Sequence, residues 1–274
     1  MSFDLLAYRS RIGLAELPRP DEDGLVAVQR AHRLAIPFEN LDIPLGHGIS
    51  VDPDAIFRKL VTARRGGYCF EQNGLFLSAL QAMGFHARPL LARVWLFATE
   101  TPPKTHMLNL VSFGGEAWIA DAGFGGSYTP PMPLAELAVT GADGVSHRLA
   151  RDAQFGWMLE RRDESGSWSR QYSFTTDPVW PADIAQANHF TSTLPGGRFT
   201  SNAIASIVLP NGFASLVNRD YSRASAKGEE RSRIASANML QLRLSLVFGI
   251  DLSREQIDRL GAIIDARESA PSID

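Results

Sequence analysis

The residue types best suited to covalent chemistry lie in the stretch Arg64-Arg65-Gly66-Gly67-Tyr68-Cys69-Phe70-Glu71-Gln72-Asn73, which contains the only cysteine of the chain. A glycine pair precedes Cys69, and apolar residues recur at helical spacing from Leu75 to Met83. Cys69 is therefore predicted to lie in the first turn of a helix. Unpaired backbone N–H groups in the first turn stabilise an anion. We therefore expect the pKa of the Cys69 thiol to be lower than that of a free cysteine, which is roughly 8.5. The alternative is a buried cysteine that serves as a small apolar side chain.

A nucleophilic thiolate needs an imidazole that takes and returns protons, and the imidazole needs an orienting group on its other nitrogen. The chain contains six histidines. A two-residue hairpin loop at Gly114-Gly115 would pair Phe113 with Glu116, which makes His106 and Asp121 diagonal neighbours on one face of a sheet. Such positions lie roughly 7–8 Å apart, so a hydrogen bond between carboxylate and imidazole is geometrically reasonable. A loop of three or five residues would put the two side chains on opposite faces.

Asp121 stands in the apolar run Trp118-Ile119-Ala120-Asp121-Ala122-Gly123-Phe124, where an unpaired carboxylate would be costly to bury. That cost favours a partner, and His106 alone among the histidines has an acidic residue in a predictable register. Two alternatives stay open: Asp121 could be satisfied by backbone donors at a strand end, and His106 could be a surface residue. Three other histidines could also become neighbours of these groups through folding that the sequence does not predict: His32, His86 and His189.

Composition excludes several classes of partner. The chain has 274 residues, 45% of them hydrophobic, and a net charge of -3 without a clustered basic tract, so we expect a globular protein that binds neither nucleic acid nor a membrane. No Cys-x-x-Cys or His-Glu-x-x-His spacing occurs, and we expect no metal site. A single cysteine and an N-terminus without a signal-peptide pattern indicate a cytoplasmic enzyme with small-molecule partners.

The first half of the chain is predicted to form a helical domain and then a strand-rich one. Residues 37–44 mix apolar and acidic side chains and are predicted to form a partly buried connection. The helical domain, residues 1–84, has predicted helices at 3–11, at 22–35, from Asp52-Pro53 to about residue 63, and after Cys69. Residues 85–177 are predicted to form a small barrel or curved sheet with strands at 87–97, 106–113, 117–122, 156–161 and 168–174, and with turns at 114–115 and 164–166.

The second half is predicted to hold a linker and an α/β domain. Residues 178–200 are punctuated by proline and glycine and are predicted to be a linker with a short helix at 181–190. In the last range, residues 201–274, Pro210-Asn211-Gly212 indicates a hairpin, and a further strand is predicted at 230–234. Two helices would close the chain, one at about 237–248 ended by Gly249, and one from Ser253 with Gln256 completing a capping box.

Together these residues resemble the arylamine N-acetyltransferase family in its bacterial form. The resemblance runs nearly end to end, as far as Asn188-His189-Phe190-Thr191-Ser192-Thr193, Phe199 and the terminal helices. It rests on the cysteine stretch and on three further motifs: Pro37-Phe38-Glu39-Asn40-Leu41, Thr105-His106-Met107 and Asp121-Ala122-Gly123-Phe124-Gly125.

The resemblance implies an α+β fold with a papain-like cysteine-protease-type core: a helical N-terminal domain, a central β-barrel and a C-terminal α/β lid. It implies a catalytic triad of Cys69, His106 and Asp121. The implied reaction is ping-pong transfer of an acetyl group from acetyl-CoA through a cysteine thioester to arylamines, arylhydrazines or N-hydroxyarylamines, as in xenobiotic metabolism. Acetyl-CoA would be a cosubstrate, with no permanently bound cofactor, and a homo-oligomer is compatible with the sequence.

The resemblance also implies roles around the triad. Phe38, Phe124 and Phe199 would line an apolar substrate pocket, although each residue type is more often simple core. The glycines of Gly123-Phe124-Gly125-Gly126-Ser127 fit neither a Walker loop nor a Rossmann fingerprint, but Gly125 and Gly126 match the family segment near the coenzyme. We also expect Arg65 and Glu39 to form a buried ion pair that braces the cysteine loop.

Three other functions stay open from the sequence. The nearest is an amide synthase or another acyltransferase on the same scaffold, with a carrier-bound acyl chain as donor, because fold does not decide substrate. A Cys–His–Asp hydrolase or transglutaminase-like enzyme would pass the acyl group to water or to a protein amine. A binding module that kept the scaffold would show no enhanced thiol reactivity.

Overall fold

A computed structural model of the chain describes residues 3–96, 98–141, 143–163, 165–225 and 228–269. Eight α-helices occur in these ranges, and a π-helical turn at Arg58–Thr62 follows the third. None of the helices there has the length and apolar character needed to cross a bilayer. The helices are α1 (Leu5–Ile12), α2 (Glu22–Ala35), α3 (Pro53–Phe57), α4 (Cys69–Ala82), α5 (Pro181–Thr193), α6 (Arg198–Ser201), α7 (Ala237–Phe248) and α8 (Arg254–Glu268).

The N-terminal helices begin and end where the sequence supplies caps. The carboxylate of Asp21 accepts the N–H of Gly24 at 2.9 Å and starts α2, which ends before Pro37 as predicted. One buried core joins α1, α2 and α4, with Leu25, Val28 and Phe76 among its members. The predicted range of α2 and the start of α4 near Cys69 are therefore confirmed.

The middle of the chain forms an eight-stranded antiparallel sheet that curves like a barrel. Its strand order is β5-β4-β3-β2-β9-β8-β7-β6. Aliphatic and aromatic side chains such as Leu108, Leu159 and Tyr172 fill its interior. The strands are β2 (His86–Val94), β3 (Lys104–Phe113), β4 (Glu116–Ala120), β5 (Met132–Pro133), β6 (Ala138–Thr140), β7 (Ser146–Asp152), β8 (Gly156–Arg162) and β9 (Trp168–Phe174).

The predicted strands of this sheet are present, but three more were not predicted. Strand β2 ends at Val94 instead of residue 97, and Phe97 itself lies outside the described residues, as does Glu164 of the predicted turn. Strands β5, β6 and β7 were missed because two are very short and the third, Ser146–Asp152, alternates with basic residues instead of forming an apolar run. The Gly114-Gly115 hairpin is confirmed, since Phe113 pairs with Glu116.

A second antiparallel sheet has the order β1-β10-β11-β12-β13. Its first strand, β1 (Phe38–Glu39), comes from the N-terminal part of the chain, where a connection was predicted. Phe38 pairs with Ser206 of β10. Helices α7 and α8 share a core with this sheet, and α7 ends at Gly249, whose φ of 64° is left-handed. The other strands are β10 (Ile204–Leu209), β11 (Gly212–Val217), β12 (Asp220–Ser225) and β13 (Gly228–Arg233).

The α+β architecture with a barrel-like sheet agrees with the predicted fold class. The division into residues 1–84, 85–177, 178–200 and 201–274 stays a prediction. Residues 178–200, predicted as a linker with one short helix, contain α5 and all but the last residue of α6. Strand β1 moreover belongs to the sheet formed by the last range, so the N-terminal and C-terminal parts share backbone hydrogen bonds.

Candidate active site

Cys69 is the first residue of α4 and is 3% exposed. Its thiol donates to the carbonyl oxygen of Thr105, with 3.8 Å between sulfur and oxygen. The neighbouring backbone must be glycine, because a Cβ on Gly66 would lie 2.3 Å from the carbonyl oxygen of Pro37, and one on Gly123 would lie 2.9 Å from the Cα of Cys69. The glycines therefore permit the close packing that seats the cysteine against its neighbours.

His106 and Asp121 meet as the hairpin register predicted. Nε2 of His106, on β3, lies 2.7 Å from Oδ2 of Asp121, which follows β4 directly. Both residues are buried, with 2% and 4% exposure. Oδ1 of the same carboxylate accepts the N–H groups of Gly123 at 2.9 Å and Phe124 at 3.0 Å, and the amide of Asn73 at 2.9 Å. The carboxylate is therefore fixed from both of its oxygens.

Asn73 also belongs to this arrangement, although the sequence analysis assigned it no role. It lies one helical turn after Cys69, so the two side chains share a face of α4. Besides the carboxylate of Asp121, its amide reaches the carbonyl oxygen of Met107 at 2.6 Å, and its oxygen accepts the N–H of Ala122 at 2.9 Å. The i, i+4 spacing from the cysteine was the signal that could have identified it.

The ionisation of Asp121 is set by its partners. Burial alone would raise its pKa, but the charge and hydrogen bond of His106, followed by the hydrogen bonds of Asn73 and Gly123, lower the pKa to about 2. The carboxylate is therefore ionised at neutral pH and accepts the proton on Nε2 of His106. In that tautomer the lone pair of the neutral ring lies on Nδ1.

The thiol of Cys69 behaves differently from the expectation based on its helix position. Burial and then the charge of Asp121 raise the pKa of the Cys69 thiol, and the N–H groups of Met107 and Phe70 only partly oppose them. The prediction of a lowered pKa from the helix start is therefore wrong, because the site excludes water as well as offering backbone N–H groups. A thiolate here depends on a nearby base that takes the proton.

A cavity of about 420 Å³ opens beside the thiol. Cys69 and His106 both line it, and so do the five residues predicted to bind substrate: Phe38, Phe124, Gly125, Gly126 and Phe199. The ring of Phe124 lies 5.1 Å from that of His106, and the ring of Phe199 lies 5.6 Å from that of Tyr68, centroid to centroid. Sequence reasoning missed the rest of the wall, which includes Leu96, Phe190, Leu194, Arg198 and Phe213.

Comparison with known proteins identifies the family of this chain. A family model described as N-acetyltransferase matches residues 22–257. The chain belongs to the arylamine N-acetyltransferase family. A relative from Salmonella typhimurium, named arylamine N-acetyltransferase / N-hydroxyarylamine O-acetyltransferase, is 40% identical over 215 residues, which are 77% of this chain and 75% of that protein. This confirms the resemblance found in the sequence motifs.

Solved structures of arylamine N-acetyltransferases have the same fold. The enzyme from Salmonella typhimurium superposes with a TM-score of 0.89 at 34% identity and covers 96% of this chain and 98% of its own. The enzyme from Mycobacterium marinum, solved in complex with CoA, gives 0.88 at 32% identity and covers 96% of this chain and 99% of its own. The predicted fold class is therefore confirmed along nearly the whole chain.

In this member of the arylamine N-acetyltransferase family, Arg65 and Glu39 form the expected ion pair. Nε and Nη2 of the guanidinium lie 2.7 and 2.8 Å from the two carboxylate oxygens. The same carboxylate accepts the N–H of Gly66 at 3.1 Å and of Leu41 at 3.2 Å. Burial would lower the pKa of Arg65, but Glu39 and Asp42 raise it, so the guanidinium stays charged. The pair fixes the chain directly before the cysteine.

Lys59 and Glu71 extend this charged cluster to the start of α4. Nζ of Lys59 lies 2.8 Å from Glu71 and 2.7 Å from Asp42. The other oxygen of Glu71 accepts the N–H of Tyr68 at 3.1 Å, which caps the helix that begins with Cys69. Burial raises the pKa of Glu71 to about 7, although Lys59 acts to lower it. Neither residue was assigned a role from sequence.

Metal ligation was not expected from the sequence. In the part of the chain that the structure describes, no three His, Cys, Asp or Glu side chains cluster as metal ligands would. The groups that could contact a cosubstrate are those of the cavity wall, which includes Gly125 and Gly126; a Cβ on Gly125 would lie 3.6 Å from the ring of Phe38.

Proposed function

We propose that this protein transfers acetyl groups from acetyl-CoA to arylamines, arylhydrazines or N-hydroxyarylamines through a thioester on Cys69, with His106 and Asp121 completing the triad. One observation carries the proposal: the buried thiol and an imidazole hydrogen-bonded to a buried carboxylate line the same largely apolar cavity. This is the arrangement that nucleophilic catalysis by cysteine requires.

The first half-reaction would acetylate the cysteine. Asp121 holds the proton on Nε2 of His106, so Nδ1 takes the thiol proton of Cys69 as the sulfur attacks the thioester carbonyl. The carbon–sulfur bond to coenzyme A breaks, and the proton on Nδ1 passes to the departing thiolate. The products are acetyl-Cys69 and free coenzyme A, and the imidazole returns to its neutral form.

The second half-reaction would transfer the acetyl group to the amine. An arylamine is weakly basic and reaches the thioester as the neutral nucleophile. His106 takes the N–H proton as the nitrogen–carbon bond forms, and returns it to the sulfur of Cys69 as the thioester breaks. The amide leaves, and the enzyme is regenerated with its thiol protonated.

The raised pKa of Cys69 makes the imidazole indispensable in this scheme. Since burial and Asp121 both disfavour an isolated thiolate, the proton must move to His106 when the sulfur becomes nucleophilic. The N–H groups of Met107 and Phe70 then support the negative charge on sulfur. Loss of the base should therefore affect the chemical step far more than substrate binding.

The cavity would favour an amine over water as acceptor. Phe38, Phe124 and Phe199 surround the space beside the thiol with aromatic surface, which suits an aromatic ring and excludes water from the thioester. The Salmonella relative carries both arylamine and N-hydroxyarylamine acetyltransfer in its name, and the Mycobacterium marinum relative was solved with CoA. These relatives support the proposed classes of donor and acceptor.

The test is CoA release from acetyl-CoA, measured with and without p-anisidine, for the wild type and for Cys69→Ala. We expect release that depends on the acceptor and disappears in the variant. Absence of release from a folded protein whose Cys69 still alkylates rapidly would contradict acetyl-CoA as donor. Longer acyl-CoAs and carrier-bound thioesters would then test the amide-synthase alternative.

A further inference from the structure

Arg33 is a buried cation whose hydrogen bonds all go to backbone carbonyl groups. It lies near the end of α2 and is 4% exposed. Nη1 donates to the carbonyl oxygen of Ala122 at 3.3 Å, and Nη2 donates to those of Gly126 at 3.2 Å and Ser127 at 3.4 Å. Among the described residues it has no carboxylate at ion-pair distance, although burying an unpaired charge is costly.

The carbonyl groups that Arg33 binds belong to a segment that serves the triad. Within residues 122–127, the N–H groups of Gly123 and Phe124 hold Oδ1 of Asp121. The Phe124 ring packs against His106, and the two glycines that follow it line the cavity. Arg33 therefore holds both ends of the segment whose middle orients the carboxylate and forms the pocket wall.

We propose that Arg33 is a positioning residue of the acetyl-transfer site, which fixes residues 122–127 so that their N–H groups keep Asp121 aimed at His106. The inference rests on the proposed function in one respect only, namely that the site transfers an acetyl group. The alignment of Asp121, His106 and Cys69 can be measured without any acetyl donor, through the reactivity of the thiol.

The hydrogen bonds of Arg33, more than its charge, are expected to control that reactivity. Asp121 raises the pKa of Arg33 against the larger lowering effect of burial, so the two charges interact. When the thiol proton moves from Cys69 to His106, an anion and a cation form together, and a guanidinium acts on them with opposite signs. Removal of the charge alone would therefore change the alkylation rate little, whereas loss of the held segment would slow it.

The experiment compares alkylation of Cys69 by iodoacetamide at pH 7 in Arg33→Met, Arg33→Gln and Arg33→Lys. Cys69 is the only cysteine, so intact mass reports the reaction at one site. Gln29→Met is the matched control, because Gln29 lies one turn earlier on α2, is fully buried, and donates to the carbonyl oxygen of Thr129 at 2.8 Å, beyond the segment. Each variant is also assayed for acetyl transfer to p-anisidine below its own melting temperature.

We expect Arg33→Met and Arg33→Gln to slow alkylation by roughly 10- to 100-fold, the effect of a small displacement of reacting groups. Arg33→Lys keeps the charge and three donors and should recover part of the rate, and Gln29→Met should react like the wild type. Acetyl transfer should fall in parallel. Failure of the wild type to transfer acetyl groups would refute the proposed function and leave the alkylation comparison intact.

Three results would overturn the positioning role: alkylation of Arg33→Met at the wild-type rate or faster, no difference between Arg33→Lys and Arg33→Gln, or an equal loss in Gln29→Met. If Arg33→Met does not fold, Arg33→Gln takes its place. Slower alkylation in Arg33→Gln than in both Arg33→Lys and Gln29→Met supports the positioning role, and equal rates refute it.

Discussion

At the scale of single residues, the site depends on how fully Asp121 is bound. Four hydrogen bonds converge on its two oxygens, three on Oδ1 and one on Oδ2. Because both oxygens are held, the carboxylate can neither rotate nor take up a proton easily. The orientation and tautomer of His106 then follow from Asp121, which is the role that we propose for Asp121 as the third member of a triad.

Asp121→Asn should therefore damage catalysis far more than stability. The amide would present N–H groups where His106 and the backbone also donate, which favours the wrong imidazole tautomer. We expect kcat for acetyl transfer to fall roughly a thousandfold to ten-thousandfold. Steady-state kinetics with acetyl-CoA and p-anisidine measures the effect.

Asp152→Asn is the matched control. Oδ1 of Asp152 accepts the N–H groups of residues 154 and 155 at 2.9 and 3.0 Å, the same backbone pattern that Asp121 makes, but no histidine is bound to it. This variant should keep wild-type kcat. Equal kcat values for the two variants would refute the catalytic role of Asp121.

The sequence predicted the contact between His106 and Asp121 because a two-residue loop fixes the register of the strands around it. It could not predict the contacts of Arg33 or the raised pKa of Cys69. The contacts of Arg33 include one between residues 89 positions apart, and the pKa of Cys69 depends on burial by segments that are remote in the sequence. Local sequence patterns indicate the register of neighbouring strands but say little about how deeply a side chain is buried.

At the scale of elements, the start of α4 is held by a cluster of buried charges. Arg65 binds Glu39 and Asp42, and Lys59 binds Asp42 and Glu71. The carboxylates of Glu39 and Glu71 also accept N–H groups of the cysteine loop. Such pairs add little net stability when complete, but removal of one partner leaves a buried charge unbalanced.

Arg65→Met should destabilise the protein by about 3–5 kcal/mol, since Glu39 is then buried without a cation. Arg254→Met is the control, because Arg254 pairs with Asp258 at 2.9 Å on an exposed face of α8, where loss of a pair costs less than about 1 kcal/mol. Urea unfolding measures both. Unchanged stability in Arg65→Met would refute the bracing role of the pair.

His32 joins α1, α2 and α4 as a neutral side chain. Gln72 donates its amide to the carbonyl oxygen of Pro37 at 2.7 Å, so its oxygen accepts Nε2–H of His32 at 2.6 Å. Nδ1 then accepts the hydroxyl of Tyr8 at 2.8 Å. Burial lowers the pKa of His32 to about 3, from 6.5 for a free histidine. The helical core therefore excludes the protonated form.

This lowered pKa predicts a loss of stability in acid. Below pH 6.5 the unfolded chain takes up a proton at His32 that the folded state refuses until about pH 3, so stability falls across that window. Between pH 6.5 and about pH 5 the loss should reach roughly 2 kcal/mol. Urea unfolding across this range should show a steeper loss in the wild type than in His32→Gln, whose amide keeps a donor and an acceptor. Parallel curves would contradict the prediction.

Element prediction succeeded where local chemistry marks both ends. Ser253 and Gln256 cap α8, and Gly249 ends α7, as expected from their types and order. The strand predicted at 230–234 is present as β13, Gly228–Arg233. Prediction failed for β12, because Asp220–Ser225 has no apolar run. That strand exists because β11 offers a pairing edge, which the sequence of the strand itself does not record.

At the scale of the whole molecule, the cavity is built from distant parts of the chain. Phe38 comes from β1, Cys69 from α4, His106 and Phe124 from the barrel-like sheet and its loop, and Phe199 from α6. Asn40 ties the first of these parts to the last: its amide donates to the carbonyl oxygens of Phe199 and Asn202 at 2.8 Å each, and its oxygen accepts the N–H of Ile204 at 2.7 Å. Sequence patterns cannot assemble such a wall; the resemblance to a family supplied only part of it, including Phe38, Phe124 and Phe199.

Asn40→Ala should loosen the connection between the two ends of the chain. Three backbone groups lose their partner, one of them buried and two partly buried, so we expect a loss of roughly 2–3 kcal/mol in stability. KM for the arylamine should rise because Phe199 is no longer held. Asn202→Ala is the control, since the described partners of its side chain, Arg198 and Asn218, both lie within the C-terminal part. Equal effects of the two substitutions on KM would contradict the role of Asn40.

The central claim is a covalent acetyl group on Cys69, and mass spectrometry tests it directly. Protein incubated with acetyl-CoA and no acceptor, then quenched in acid, should gain the mass of one acetyl group, located by peptide mapping at Cys69. Added p-anisidine should remove that mass and yield an equal amount of N-acetyl product. Acceptor-dependent turnover without acetylated Cys69, or turnover that persists in Cys69→Ala, would contradict the account and indicate direct transfer between the two bound substrates.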